Sequence, residues 1–232
     1  LHKEYRRQRQ MCIRDSIYAL ITIAIFGMWY YARYEGNFLP SPKKTFNPMM
    51  LVAIVILVPG TQFAANFIAN LTGYIRPDWL QQYNELFETS GITDTTFVTV
   101  LYSVILAPIC EELIFRGVTM RCARKALPFA LANLMQAALF GLFHLNWIQG
   151  IYAFALGIVL GYVCERGGSI YYSMGLHLLF NLWGTLSGFF PDPGNSVVVF
   201  VIVIAVTIVS LAAGFVLFNK GRRKLPINST GI

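Results

Sequence analysis

The stretch Ser196–Phe218, SVVVFVIVIAVTIVSLAAGFVLF, runs for twenty-three residues without a charged side chain. A hydrocarbon layer about 30 Å thick is crossed by about 20 helical residues, and backbone left unpaired in it is too costly for an open structure. Six further apolar runs lie near Ile17–Tyr34, Met49–Leu71, Thr96–Arg121, Leu127–Trp147, Gln149–Cys164 and Ser169–Phe190. The fold class this predicts is all-α, a polytopic transmembrane helical bundle of about seven spans. Two runs are irregular. Gln149–Cys164 is short, and Pro59–Gly60 interrupts Met49–Leu71, where a half-span or kink is expected.

Composition excludes the soluble alternative. Of 232 residues 56% are apolar and only 12% charged, with a mean hydropathy of +0.57, whereas soluble domains carry about 25% charged residues. The net charge of +7 comes with basic clusters at Lys3–Arg14, Arg116–Lys125 and Lys220–Lys224. These flank apolar runs, so they read as loops retained on the cytoplasmic side rather than as a nucleic-acid surface. The expected partner is the lipid bilayer, and the GRRK tail at Gly221–Lys224 puts the C-terminus in the cytoplasm. Counting back from the third span places the basic N-terminus on the opposite side, and one span missing from the N-terminus would resolve the conflict. The opening LHKEYRRQRQMCIRDS has no apolar signal-peptide core. Cys12, Cys110, Cys122 and Cys164 form no C-x-x-C pair, and the three that sit in or beside apolar runs read as small hydrophobes.

Arg76–Asp94 differs in kind. Trp79, Leu80, Tyr83, Leu86 and Phe87 recur at helical spacing among Asp78, Glu85 and Glu88, the pattern of an amphipathic helix lying at the interface. Two G-x-x-x-G patterns, Gly157/Gly161 and Gly184/Gly188, would let helices approach closely.

The chemistry rests on ionisable groups inside apolar runs, each costing about 2.5 to 3.5 kcal/mol on insertion scales and therefore kept for a purpose. The third span carries Glu111, Glu112 and Arg116 in APICEELIFRG, the fourth ends with His144 in LFGLFHLNW, and the sixth carries His177 and Asn181 in MGLHLLFNLWG. Adjacent helical residues point about 100° apart, so Glu111 and Glu112 are not expected to share a partner. Glu112 and Arg116 stand at i,i+4 and can pair. Glu111, with no local partner, is the candidate general base. His177 and Asn181 share a helical face and could present donors to an oxyanion. Phe140 can pack beside the His144 imidazole. A glutamate and a histidine converging on one water would suit amide hydrolysis in the membrane. Histidine and carboxylate also suit zinc, but no H-E-x-x-H occurs and no metal site or cofactor is expected.

E-E-x-x-x-R at Glu111–Arg116, F-x-x-x-H at Phe140–His144 and H-x-x-x-N at His177–Asn181 occur in the order and spacing of the CPBP family. The chain resembles that group of intramembrane glutamic endopeptidases, which includes type II CAAX prenyl endopeptidases and the Abi and bacteriocin-immunity proteins. The resemblance implies a metal-free membrane protease of a prokaryotic cell membrane. Glu111 and His144 would activate water, His177 and Asn181 would hold the oxyanion, and Glu112, Arg116 and Phe140 would support them. The substrate would be a membrane-embedded or lipidated peptide, possible CAAX-type processing included, with no nucleic acid and with the oligomeric state undefined. On this reading residues 1–95 hold the N-terminal spans and interfacial segment, 96–190 the catalytic core, and 191–232 the last span and basic tail. Two alternatives stand beside it: a non-enzymatic membrane immunity or transport-associated protein, and a metal-dependent membrane protease.

Overall fold

The computed structural model describes residues 2–32, 46–90, 97–187 and 196–222, and every regular element among them is helical. In chain order they are α1 (His2–Tyr30), α2 (Pro48–Ile75), α3 (Pro77–Ser90), α4 (Phe97–Arg124), α5 (Phe129–Phe143), α6 (Trp147–Gly167), α7 (Ile170–Ser187) and α8 (Val197–Arg222). The expected span ends at Tyr34 and Phe190, the last residues of the interfacial segment, Gly188 and the basic tail from Arg223 lie outside the described residues.

Four helices, α2, α4, α6 and α8, are long and apolar enough to cross a membrane, and Ser16–Tyr30 and α5 are shorter apolar helices. Of the seven expected spans, four correspond to helices of crossing length and composition among the described residues, so the all-helical expectation is met and the count of seven is not. The outward faces agree with a lipid environment: α8 alone exposes Val198, Val201, Ile202, Ile208 and Val209, a contiguous apolar surface that water would not tolerate.

Three sequence expectations change. The short fifth run becomes the full-length α6, because Asn146 caps it early, accepting the Gln149 amide at 3.1 Å. Its far end continues through Glu165 and Arg166 to Gly168, whose φ of +67° closes the helix. The fourth run shortens at its far end, where α5 stops at Phe143 and Leu145 adopts φ 54° in the turn to α6. That left-handed conformation is uncommon for leucine.

The third change concerns Pro59, which does not break α2. The Ser210 hydroxyl of α8 inserts there. It accepts the Gly60 amide at 2.9 Å and donates to the Ile56 carbonyl. Ile56 and Gly60 are an i,i+4 backbone pair, so a neighbouring hydroxyl restores what the proline disturbs, the usual way a membrane helix tolerates one. Gly60 admits this contact because a Cβ would stand 2.7 Å from Ser210 Oγ.

Packing then fixes the bundle around α2, α6, α7 and α8, whose core includes Met50, Leu57, Leu160, Tyr172, Leu176 and Phe218. Asn47 ties its ends together: its backbone amide donates to Tyr172 Oη at 2.8 Å and its side chain to the Gly221 carbonyl at 3.0 Å. A second cluster with Tyr30, Leu113, Met120 and Ile170 joins α1, α4 and α7. The amphipathic segment is helical, as its spacing predicts. In α3, Trp79 stacks on Trp147 with ring centroids 5.3 Å apart. Arg76, just before α3, bonds both oxygens of Asp78 at 2.9 and 2.6 Å, and these bonds hold the exposed Asp78 carboxyl below its usual range.

Candidate active site

Helix α4 departs from regular α geometry twice. Leu101–Leu106 and Leu113–Met120 are π-helical and flank the α-helical turn Ala107–Glu112 that ends on the two glutamates. Such wider turns are rare and concentrate at functional sites.

The Glu112 side chain points inward. Its Oε1 accepts Arg116 Nη1 at 2.9 Å, with both side chains wholly buried, so the expected i,i+4 pair forms. The same oxygen lies 3.0 Å from His177 Nδ1. Glu111 is 16% exposed and faces His177 Nε2 at 3.5 Å. The expectation that the two glutamates cannot share a partner is therefore corrected. They diverge as helical geometry requires, but an imidazole has two nitrogens on different edges, and His177 of α7 lies between them.

The Phe140 ring holds this cluster together. Its centroid lies 4.9 Å from that of His144 and 5.7 Å from that of His177, in both cases edge to face, and the Arg116 guanidinium lies over it at 4.5 Å. His144 caps the end of α5, and its Nδ1 lies 2.8 Å from the Phe140 carbonyl. A carbonyl only accepts, so Nδ1 carries a hydrogen, and in the neutral ring the lone pair is on Nε2. Residue counting explains why His144 reaches the depth of Glu111. Glu111 precedes Arg124 by thirteen residues and His144 follows Phe129 by fifteen. At about 1.5 Å per residue both stand roughly 20 Å from the turn joining α4 and α5, and His144 lies within electrostatic range of Glu111.

Asn181, one turn beyond His177, is engaged elsewhere. Its Nδ2 donates to the Ser103 carbonyl at 2.8 Å. Among the described residues no hydrogen bond joins it to Glu111, Glu112, His144 or Phe140. Nor is any group of three or more His, Cys, Asp or Glu side chains arranged to hold a metal.

The sequence reading passed over a buried amide layer beneath this cluster. Gln136 Nε2 donates to the Gly157 carbonyl at 2.9 Å and to Asn133 Oδ1 at 2.7 Å, and Asn133 Nδ2 donates to the Ile158 carbonyl at 3.1 Å. The signal was available, since an amide in an apolar run raises the same question as a histidine there. Gly157 and Gly161 permit the layer. A Cβ on Gly157 would stand 3.1 Å from Ala137 Cα, and one on Gly161 would stand 1.9 Å from Asn133 Oδ1. Gly184 of the second pattern makes no such approach, with Gln62 Nε2 the nearest atom at 3.8 Å. Tyr152 of α6 was also missed. It packs against Phe115 and Phe140 and hydrogen-bonds Tyr83 of α3.

Two adjacent carboxylates among apolar helices, one balanced by arginine and the other facing histidine, are the kind of arrangement that general acid–base chemistry uses. Residues 93–183, which include Glu111, Glu112, Arg116, Phe140, His144, His177 and Asn181, match the family model described as Type II CAAX prenyl endopeptidase Rce1-like. Over those residues, less than half of the chain, the sequence is similar to a family described as prenyl endopeptidases. No curated protein and no solved structure matches the chain.

Proposed function

We propose that the chain is an intramembrane endopeptidase of the glutamic type, with the catalytic core in residues 96–190 and prenylated CAAX-type peptides as substrate. The observation that carries this reading is the unequal treatment of two neighbouring carboxylates. Glu112 is wholly buried and tied to Arg116, whereas Glu111 is partly exposed and faces His177.

In the proposed reaction a water is held between Glu111 and the free Nε2 of His144. Glu111 takes a proton as the water oxygen attacks the scissile carbonyl carbon. The oxyanion that forms is received by His177, which in this step carries a hydrogen on both nitrogens and donates from Nε2 while Glu112 holds Nδ1–H, and by the Asn181 N–H not used on Ser103 once the amide turns. Collapse breaks the C–N bond, and Glu111 returns the proton to the leaving amine. Glu112 is not the base on this reading, because Arg116 and His177 already occupy its Oε1. Seven helices, all but the interfacial α3, form the membrane bundle, with the α4–α5 turn and the end of α8 on the cytoplasmic side of a prokaryotic membrane.

The test is release of the C-terminal tripeptide from a farnesylated CAAX peptide by protein in liposomes, followed by mass spectrometry, beside the same peptide without its lipid. Glu111→Gln and His144→Asn should each lower turnover by about 10²-fold or more while the protein stays folded. Full turnover in Glu111→Gln would refute the mechanism. No turnover by the unaltered protein on either peptide would favour a binding role.

A further inference from the structure

Arg116 is held at few points. Nη1 bonds Glu112, Nη2 donates to the Gly157 carbonyl at 3.3 Å, and Nε, although buried, has no hydrogen-bond partner among the described residues. A guanidinium fixed this sparsely takes its orientation from where the Gly157 oxygen stands. That oxygen also receives Gln136 Nε2 at 2.9 Å. A continuous set of contacts therefore runs from Asn133 through Gln136, the Gly157 carbonyl, Arg116 and Glu112 to His177.

Gln136 is a poor choice for stability alone. It is fully buried, and its Oε1 has no hydrogen-bond partner among the described residues. Leaving a buried acceptor unmade is penalised, whereas an apolar side chain of similar size avoids the penalty. A residue kept in spite of that has another use. The glycines of α6 point the same way, since any larger residue at Gly161 would collide with Asn133 and Gln136.

We propose that Gln136 is a positioning residue of the reaction centre, acting through the Gly157 carbonyl and Arg116 to set the hydrogen bond between Glu112 and His177. The inference rests on the peptidase reading above, and its test separates the two.

Gln136→Leu and Gln136→Met remove the amide and keep the bulk. Each should lower kcat by about tenfold with KM within about twofold, and should change thermal stability in detergent little, because the orphaned Gln136 Oε1 is removed while Asn133 Oδ1 loses its donor. Against an Arg116→Lys background Gln136→Leu should lower kcat no further, because the path is already broken. Unchanged kcat in both single variants, additive losses in the cycle, or failure of both variants to fold would overturn the proposal. Histidine-selective ¹⁵N NMR gives a readout that needs no turnover. Gln136→Leu should move the His177 imidazole resonances in the direction that Arg116→Lys moves them and leave those of His144 in place. Unmoved His177 resonances would overturn the inference, and resonances that move in a protein that cleaves nothing would leave it standing while the peptidase reading fell.

Discussion

His177 Nδ1 lies 3.0 Å from Glu112 Oε1, the oxygen that also accepts Arg116 Nη1 at 2.9 Å. One carboxylate oxygen therefore serves both a permanent cation and an imidazole. Glu112 balances the arginine and at the same time holds the Nδ1 edge of His177. That leaves the Nε2 edge of His177 turned toward Glu111.

Breaking this pair from one side should be severe. Arg116→Met leaves a wholly buried carboxylate without its counter-ion, a change that costs about 3 to 5 kcal/mol. The double variant Glu112→Gln, Arg116→Met should recover much of that stability and none of the peptide cleavage. Thermal melts in detergent, read beside turnover, would separate the two effects.

Phe140 touches both imidazoles and the guanidinium, so its truncation should act on fold and site together. Phe140→Ala should destabilise by about 3 to 5 kcal/mol. Phe140→Leu, which keeps bulk but loses the ring face, should lose less stability while turnover falls. Equal turnover in Phe140→Leu and the unaltered protein would show that the ring only fills space.

Ser210 stands in for a backbone partner disturbed by Pro59. Ser210→Ala should lower stability by about 1 to 3 kcal/mol by stranding the Gly60 amide and the Ile56 carbonyl. Adding Pro59→Ala should erase most of that loss, because the regular ladder could then close. Chemical denaturation of the four proteins in the cycle measures the coupling.

Two glycines should respond oppositely to alanine. A Cβ on Gly161 collides with Asn133 Oδ1, whereas one on Gly175 meets nothing within 4 Å. Gly161→Ala should destabilise by about 1 to 3 kcal/mol. Gly175→Ala should stabilise α7 by about 0.5 to 1 kcal/mol. The difference in melting temperature between the two variants checks the packing of α5 on α6.

A chelator separates the glutamic mechanism from a zinc-dependent one. Turnover that survives prolonged dialysis against a chelator fits a water held by Glu111 and His144. Loss of turnover restored by added zinc would replace that mechanism with a metal-assisted one.

Much of this was legible from the sequence, for identifiable reasons. Apolar runs and their polar interruptions depend on one-dimensional spacing, so the helices, the Glu112–Arg116 pair and the Phe140–His144 contact could be read directly. Contacts between separate helices leave no such trace. The placing of His177 between both glutamates depends on where α7 lies against α4. The Ser210 bridge joins residues about 150 positions apart. The common depth of Glu111 and His144 follows from α5 ending at Phe143, which the apolar run, continuing through Trp147, concealed. Asn133 and Gln136 could have been found and were passed over, because amides stand out less than charges in an apolar run.

The shortness of α5 has a consequence for the lipid around it. Fifteen residues rise about 22 Å, less than the thickness of an ordinary hydrocarbon layer. If α5 spans the membrane as in the proposed seven-helix bundle, the bilayer beside it would thin, or headgroups and water would dip to meet its end. His144 caps that end, so it stands at the floor of the depression. A polar stretch of substrate would approach it without traversing the full width of the oil, and cleavage should slow as the acyl chains of the host membrane are lengthened.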